Sequence, residues 1–185
     1  AIELATARIR LLPPQAMLAR LEHQLHFLTN GARDLPTRQQ TMRATLAWSY
    51  ALLDEAEKTL FRRLAVFVGD GPFTAVEGVC NADGALAQDV LDGIGSLLDK
   101  SLLQQKTDVG GEPRFGLLRV IREYALERLV ESGEAEVMRR HHAAFFLALA
   151  EEAEPKLTSA EQQAWLDRLA AEHDNLRAIL EWCIA

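Results

Sequence analysis

The sequence predicts a mainly α-helical protein: a piece of a helical bundle over residues 1–36, a helix-turn-helix segment with one β-hairpin over 37–130, and an antiparallel helical pair over 131–185. Three observations predict it. Apolar residues recur at helical spacing along most of the chain. Between Ser101 and Leu129, two strand-like runs, LLQQKTD and RFGLLRV, flank the turn VGGEP, and the amphipathic IREYALERL follows without a linker. The resulting order of helix, short helix, long helix, hairpin and helix is that of a winged helix-turn-helix.

At the start, Ile2, Ala5, Ile9 and Leu12 form one stripe, which Pro13-Pro14 ends while opening the next helix. Met17, Leu18, Leu21, Leu25 and Leu28 form a second stripe, closed by Gly31 and Pro36. A third helix is expected from Thr37 through TMRATLAWSYALL, with Leu46, Tyr50 and Leu53 on one face and Trp48 and Tyr50 in the core. Asp54-Glu55-Ala56-Glu57 restarts a helix with acid in its first turn, and Leu60, Phe61, Leu64, Ala65 and Phe67 are its core residues. VGDGPF closes it, a short helix runs from Thr74 to Cys80, and NADG leads to an acidic helix over 85–100. Cys80 reads as a small buried apolar residue. After the hairpin and its helix, SGEAE at 132–136 is a break, a long helix ends near Pro155, and one last helix runs from Glu161 to the end.

Charge narrows the function. The net charge is −7, and residues 64–113 hold two basic side chains against eight acidic ones. The helix that would enter a DNA groove carries Asp89, Asp92 and Asp99 against Lys100 alone, a poor match for phosphate. Arg38, Arg43, Arg62 and Arg63 make either a basic patch or a docking surface for an acidic neighbour. The longest apolar runs, such as AAFFLALA, fall short of the roughly 20 residues a membrane span needs. Two cysteines without CxxC spacing point to a reducing, cytoplasmic compartment. A chain that opens on Ala1 in a helical pattern and stops within a helix at Trp182-Cys183 reads as a piece of a larger protein.

No catalytic or metal-binding constellation emerges. His23 and His26, and His141 with His142, lack third and fourth ligands, so they read as satisfied or exposed histidines. Glu172-His173-Asp174 are consecutive helical residues that point apart, which makes them a solvated face or a packing contact. No GxxxxGK[ST] phosphate cradle occurs, so these residues are not expected to form an enzyme by themselves.

AIELA, TMRATLAWSYALL, LFRRLAVFVG, LLDKSLL, RFGLLRVIREYALERL and AEHDNLRAILEW, six collinear segments, together resemble the bacterial signal-transduction ATPases with numerous domains, the NB-ARC-like STAND class whose members include LuxR-type transcriptional regulators. The resemblance implies a P-loop ATPase domain upstream, a helical domain whose end is residues 1–36, a winged helix, and the first helices of a tetratricopeptide-like array. It implies ATP or ADP as the cofactor of the full-length protein, with none held by these residues. The family's Met-His-Asp triplet falls on Leu117, Leu118 and Arg119, and none of its residues is matched. Arg119 is the position from which a guanidinium fork would reach a phosphate, with a solvated or ion-paired arginine as the alternative.

The function implied is a non-catalytic regulatory module that couples an ATPase domain's nucleotide state to a helical sensor array. Its partners would be those two neighbours and a protein or small-molecule effector, without direct DNA contact and without a membrane. Two other classes compete with it: a DNA-binding winged-helix transcription factor and a helical protein-binding adaptor.

Overall fold

The computed structural model describes residues 42–108 and 111–184. The expected bundle helices over 1–36, with His23, His26 and also Arg38, lie outside the described residues. The chain divides into two compact units, 1–58 and 59–185. Among the described residues there are eight α-helices and one small antiparallel sheet.

In the first unit, α1 spans Met42–Ala51. Trp48 is not a core residue: it is 48% exposed, while Leu46 is buried and Tyr50 half-buried. Residues two apart on a helix stand about 200° apart, so Trp48 lies opposite the stripe that Leu46 defines. The helix α2, Glu55–Arg63, opens on a reciprocal cap and runs across the division between the units. The Glu57 N–H donates to Asp54 Oδ1 at 2.8 Å, and the Asp54 N–H donates to Glu57 Oε2 at 3.0 Å. Two otherwise orphaned donors are satisfied, a cap of about 1 kcal/mol.

In the second unit, Leu60, Phe61, Leu64, Ala65 and Phe67 are all buried, as the apolar spacing predicts. A 3-10 turn, Leu64–Val66, leads to β1, Asp70–Pro72, then α3, Phe73–Cys80, and α4, Val90–Asp99. The strands β2, Gln104–Thr107, and β3, Pro113–Gly116, form the hairpin, and β1 adds to it in the order β1-β3-β2. VGDGPF is therefore more than a helix stop: it supplies a third strand, whose Pro72 is tolerated because β1 is an edge. Asp70 pairs with Gly116, where an added Cβ would meet the Gly69 carbonyl oxygen at 2.4 Å. Only glycine lets these two strands approach so closely.

The acidic helix is shorter than expected. It starts at Val90 because Asp89 caps it, its Oδ1 accepting from the Leu91 N–H at 2.8 Å and the Asp92 N–H at 3.4 Å. Val90, Gly93, Ile94 and Leu97 face inward, and the absent side chain of Gly93 makes room for Leu60, whose Cδ2 lies 2.6 Å from where a Cβ would stand. The helix ends through Ser101, at φ +57°, with the Leu102 N–H bonded to the Leu97 carbonyl. That is a left-handed C-terminal cap occupied by a side chain where glycine costs nothing. Ser101→Gly is expected to raise the unfolding free energy by about 0.5–1 kcal/mol, measured by urea denaturation.

Two residues after β3, α5 begins and spans Arg119–Glu131; it packs on the 3-10 turn. Ser132 and Gly133, at φ +77°, end it, and α6, Ala135–Lys156, follows. This long helix packs on α3, where an added Cβ at Gly78 would meet the Phe145 ring at 2.9 Å. The last helix is not continuous as expected. It is two helices, α7, Gln162–Ala171, and α8, His173–Ile184, interrupted at Glu172, whose carboxylate is engaged elsewhere in the fold.

Candidate functional site

The face of α4 opposite the core carries Leu91, Asp92 and Asp99, all exposed, with the exposed capping residue Asp89 at its start. No arginine or lysine occurs between residues 85 and 99. Near the hairpin turn, Lys106 reaches back to Asp70, Nζ to Oδ2 at 3.1 Å, beside Asp108 and Glu112. Arg119 is the exposed first residue of α5, next to the exposed Leu118 and the buried Leu117.

The basic pair Arg62-Arg63 is not a surface patch. Arg62 Nε donates to Glu134 Oε2 at 2.5 Å, and Arg63 Nη2 donates to Glu134 Oε1 at 2.7 Å. Arg63 is buried and also donates from Nη1 to the Cys80 carbonyl at 2.7 Å and to Asp83 Oδ1 at 3.3 Å. Glu134, in the α5–α6 turn, thus ties to the end of α2, and Arg63 carries the link on to the end of α3. Burial alone would raise the Glu134 pKa, but hydrogen bonds from Arg62 and Arg63 outweigh it and hold the group below the usual carboxylate range. Cys80 is fully buried, and desolvation pushes its thiol up to about 12.

A second cluster joins the sheet to the terminal helices. Arg114, on the central strand β3, donates from Nε to Asp70 Oδ1 and from Nη1 to Glu172 Oε1, each at 2.6 Å. Its Nη2 donates to the carbonyls of Asp70 at 3.2 Å and Ala171 at 3.3 Å. Arg114, Glu172 and Asn175 are exposed by 6%, 2% and 1%. Desolvation alone would lower the Arg114 pKa, and the hydrogen bonds and charges of Glu172 and Asp70 more than reverse that, leaving it well above the ordinary guanidinium range. Asp70 is held low by Arg114 and Lys106 against the opposing effect of burial. Glu172 is therefore the packing contact that its triplet offered as one reading, while His173 and Asp174 are exposed.

Asn175 completes the cluster. Its Nδ2 donates to the Asp70 carbonyl and to Glu172 Oε2, each at 3.0 Å, which leaves Oδ1 as an acceptor. The Val68 N–H donates to that oxygen at 2.9 Å, and His142 Nε2 lies 3.3 Å from it. His142 is thereby assigned as the Nε2–H tautomer. It is buried, edge-on to Phe67 and Phe146 with ring centroids 5.1 and 4.8 Å away. Desolvation pushes its pKa down to about 4, with the Asn175 hydrogen bond opposing and the Arg122 charge assisting. His142 is satisfied, as the sequence suggests, whereas His141 is half-buried with no hydrogen-bond partner for its Nδ1 among the described residues. Among the described residues no helix is long and apolar enough to cross a membrane.

The tip-to-core order of these elements, a helix pair, a capped third helix and a hairpin feeding a helix, is matched by a family model. Residues 53–130 fit the model described as a winged helix-turn-helix domain. This segment is a winged helix-turn-helix domain. The chain is 41% identical over 182 residues, 98% of its own length, to a protein of Mycobacterium tuberculosis named a "Putative HTH-type transcriptional regulator", and equally to its Mycobacterium bovis counterpart. A second Mycobacterium tuberculosis relative, named an uncharacterized protein, is 36% identical over 139 residues, 75% of this chain and 35% of that one. The chain spans 20% of the length of the mycobacterial regulators, so it is homologous to one part of much larger proteins. No solved structure matches it.

Arg114, Asn175 and Arg122 were not visible as special in the sequence. The available signal was weak: strand residues alternate between faces, so an arginine beside Phe115 would ordinarily be solvated. Here β3 is the middle strand, and both Arg114 and Phe115 are buried.

Proposed function

We propose that this chain is a non-catalytic regulatory part of a larger ATP-dependent transcriptional regulator of the STAND class. Its winged helix relays the nucleotide state of an upstream ATPase domain to a tetratricopeptide-like array that begins with α6 to α8. The observation that carries this reading is the acid on the exposed face of α4, set against three arginines held by ion pairs within the fold. Arg62, Arg63 and Arg114 are spent on carboxylates of the same chain, where a DNA reader presents such groups to phosphate. The names of the mycobacterial relatives support the transcriptional setting.

The two clusters also supply a means of relay. Glu134 ties the start of α6 to α2, and Glu172 ties the α7–α8 junction to β3, so rotation of the winged helix carries the terminal helices with it. The movement is of the rigid-body kind, with nucleotide and effector each biasing two arrangements.

Two measurements test the reading. The 185-residue chain is expected to leave a duplex of about 30 base pairs unshifted at about 50 mM salt, where phosphate-driven binding is strong. A shift that weakens steeply with salt would establish the DNA-reader alternative. Nucleotide exchange by the chain fused to its upstream ATPase domain should change when residues 37–130 are deleted, and unchanged exchange refutes the relay.

A further inference from the structure

Between the winged helix and the terminal helices lies a cavity of about 150 Å³, lined by Val66, Val68, Arg122, Leu126, Arg139, His142, Ala178, Ile179 and Trp182. Its charge is one-sided: two of these residues are arginines and none is acidic. Arg122 donates from Nε to the Phe67 carbonyl at 2.5 Å, which leaves its two terminal nitrogens for something else. Neither Arg122 nor Arg139 has a carboxylate partner among the described residues, in contrast to Arg62, Arg63 and Arg114. His142 adds no counter-charge, being a neutral imidazole held by Asn175.

The rest of the lining is apolar, with Leu126, Ile179, Val66 and Val68 and the half-buried indole of Trp182. A cavity of about this size accommodates a benzene ring. Burial pushes the Arg122 guanidinium below its ordinary range, the mark of a cation taken from water without a counter-ion.

We propose that this cavity is a binding site for a small organic anion, a carboxylate or phosphate on a compact apolar body, with Arg122 and Arg139 holding the anionic group and Trp182, Leu126 and Ile179 enclosing the rest. A planar guanidinium grips either group through paired hydrogen bonds. The ligand would touch the 3-10 turn and α5 on one side and α6 and α8 on the other. As an effector site it rests on the relay reading above; as a binding site it stands on its own geometry.

The test is direct binding to the 185-residue chain, by titration calorimetry and by the Trp182 contribution to fluorescence, independent of DNA or nucleotide. Benzoate and inorganic phosphate are the anionic probes, and benzyl alcohol is the neutral one. Benzoate is expected to bind at millimolar concentration or better, with benzyl alcohol at least about tenfold weaker, a difference set by the ion pair. Arg139→Gln should weaken benzoate at least about tenfold, while Arg140→Gln, whose arginine is paired with Glu136 on the surface, should not. Phosphate binding without benzoate binding would assign the anion subsite to inorganic phosphate and overturn the apolar half of the proposal. Equal affinity for benzoate and benzyl alcohol, no binding of either anion, or benzoate affinity indifferent to Arg139→Gln in a folded variant would overturn it altogether. Failure here leaves nucleotide exchange untouched, so the two readings fall separately.

Discussion

Arg114→Met is expected to lower the unfolding free energy of the chain by about 3–5 kcal/mol, read as a drop in urea midpoint with little change in slope. The reason is asymmetry. With the guanidinium gone, Glu172 remains 2% exposed with a carboxylate that has lost its counter-ion, and Asp70 loses its shortest hydrogen bond. The intact cluster need not contribute as much as its rupture costs, since removing one partner strands the other. Arg114→Met combined with Glu172→Gln should therefore recover part of the loss, because the amide can stay buried without a net charge. Arg114→Lys should be intermediate: one ammonium cannot span the Asp70 carboxylate, two backbone carbonyls and Glu172 together. A single Arg114→Met variant within 1 kcal/mol of the parent would show that the cluster is solvated in solution.

Acid should destabilise the protein in two stages, and His142 sets the first. Its pKa is about 4 when folded and near the ordinary 6.5 when unfolded. Above pH 6.5 it is neutral in both states and the full stability is present. As pH falls from 6.5 towards 4, the unfolded chain binds a proton that the folded chain excludes, and stability falls with it. From pH 7 to about 4, this single group removes on the order of 2–3 kcal/mol. Below that window the imidazole contributes no further slope. The second stage belongs to Asp70 and Glu134, whose folded pKa values are depressed by their arginines. Their contribution is complete above the unfolded carboxylate range and is lost as pH falls through the lower folded values. Urea midpoints of the parent and His142→Gln between pH 7 and 4.5 check this, the variant being expected to show a much flatter profile. Parallel profiles would place the acid lability elsewhere.

The main elements could be read from periodicity because each buries one stripe against the same core: Leu60, Phe61 and Leu64 in α2, Ile94 and Leu97 in α4, Ile121 and Ala125 in α5. The hairpin was legible from its turn and from the two runs beside it. The losses are equally physical. Three-residue β1 has too few positions to show a period, and its Gly71 and Pro72 suggest a loop. The break at Glu172 has no proline or glycine to announce it; it is imposed by Arg114, 58 residues away in sequence. Trp48 shows that aromatic character alone does not place a residue in the core, since its angular position on α1 turns it to solvent. The basic pair was undecided because its partner, Glu134, comes 71 residues after Arg63. Acid on the exposed face of α4, in contrast, was visible at once, since Asp89, Asp92 and Asp99 need no distant partner to be placed.

Asn175 has a role beyond joining charges. Its carboxamide accepts from the amide of Val68, two residues before β1, and donates to the carbonyl of Asp70 at the start of that edge strand. With Arg114, which also donates to that carbonyl, it keeps backbone groups at the start of this edge strand occupied, where an added strand could otherwise pair. Lifting α8 away would uncork that edge, so any state in which the terminal helices come loose trades an internal seam for a sticky one.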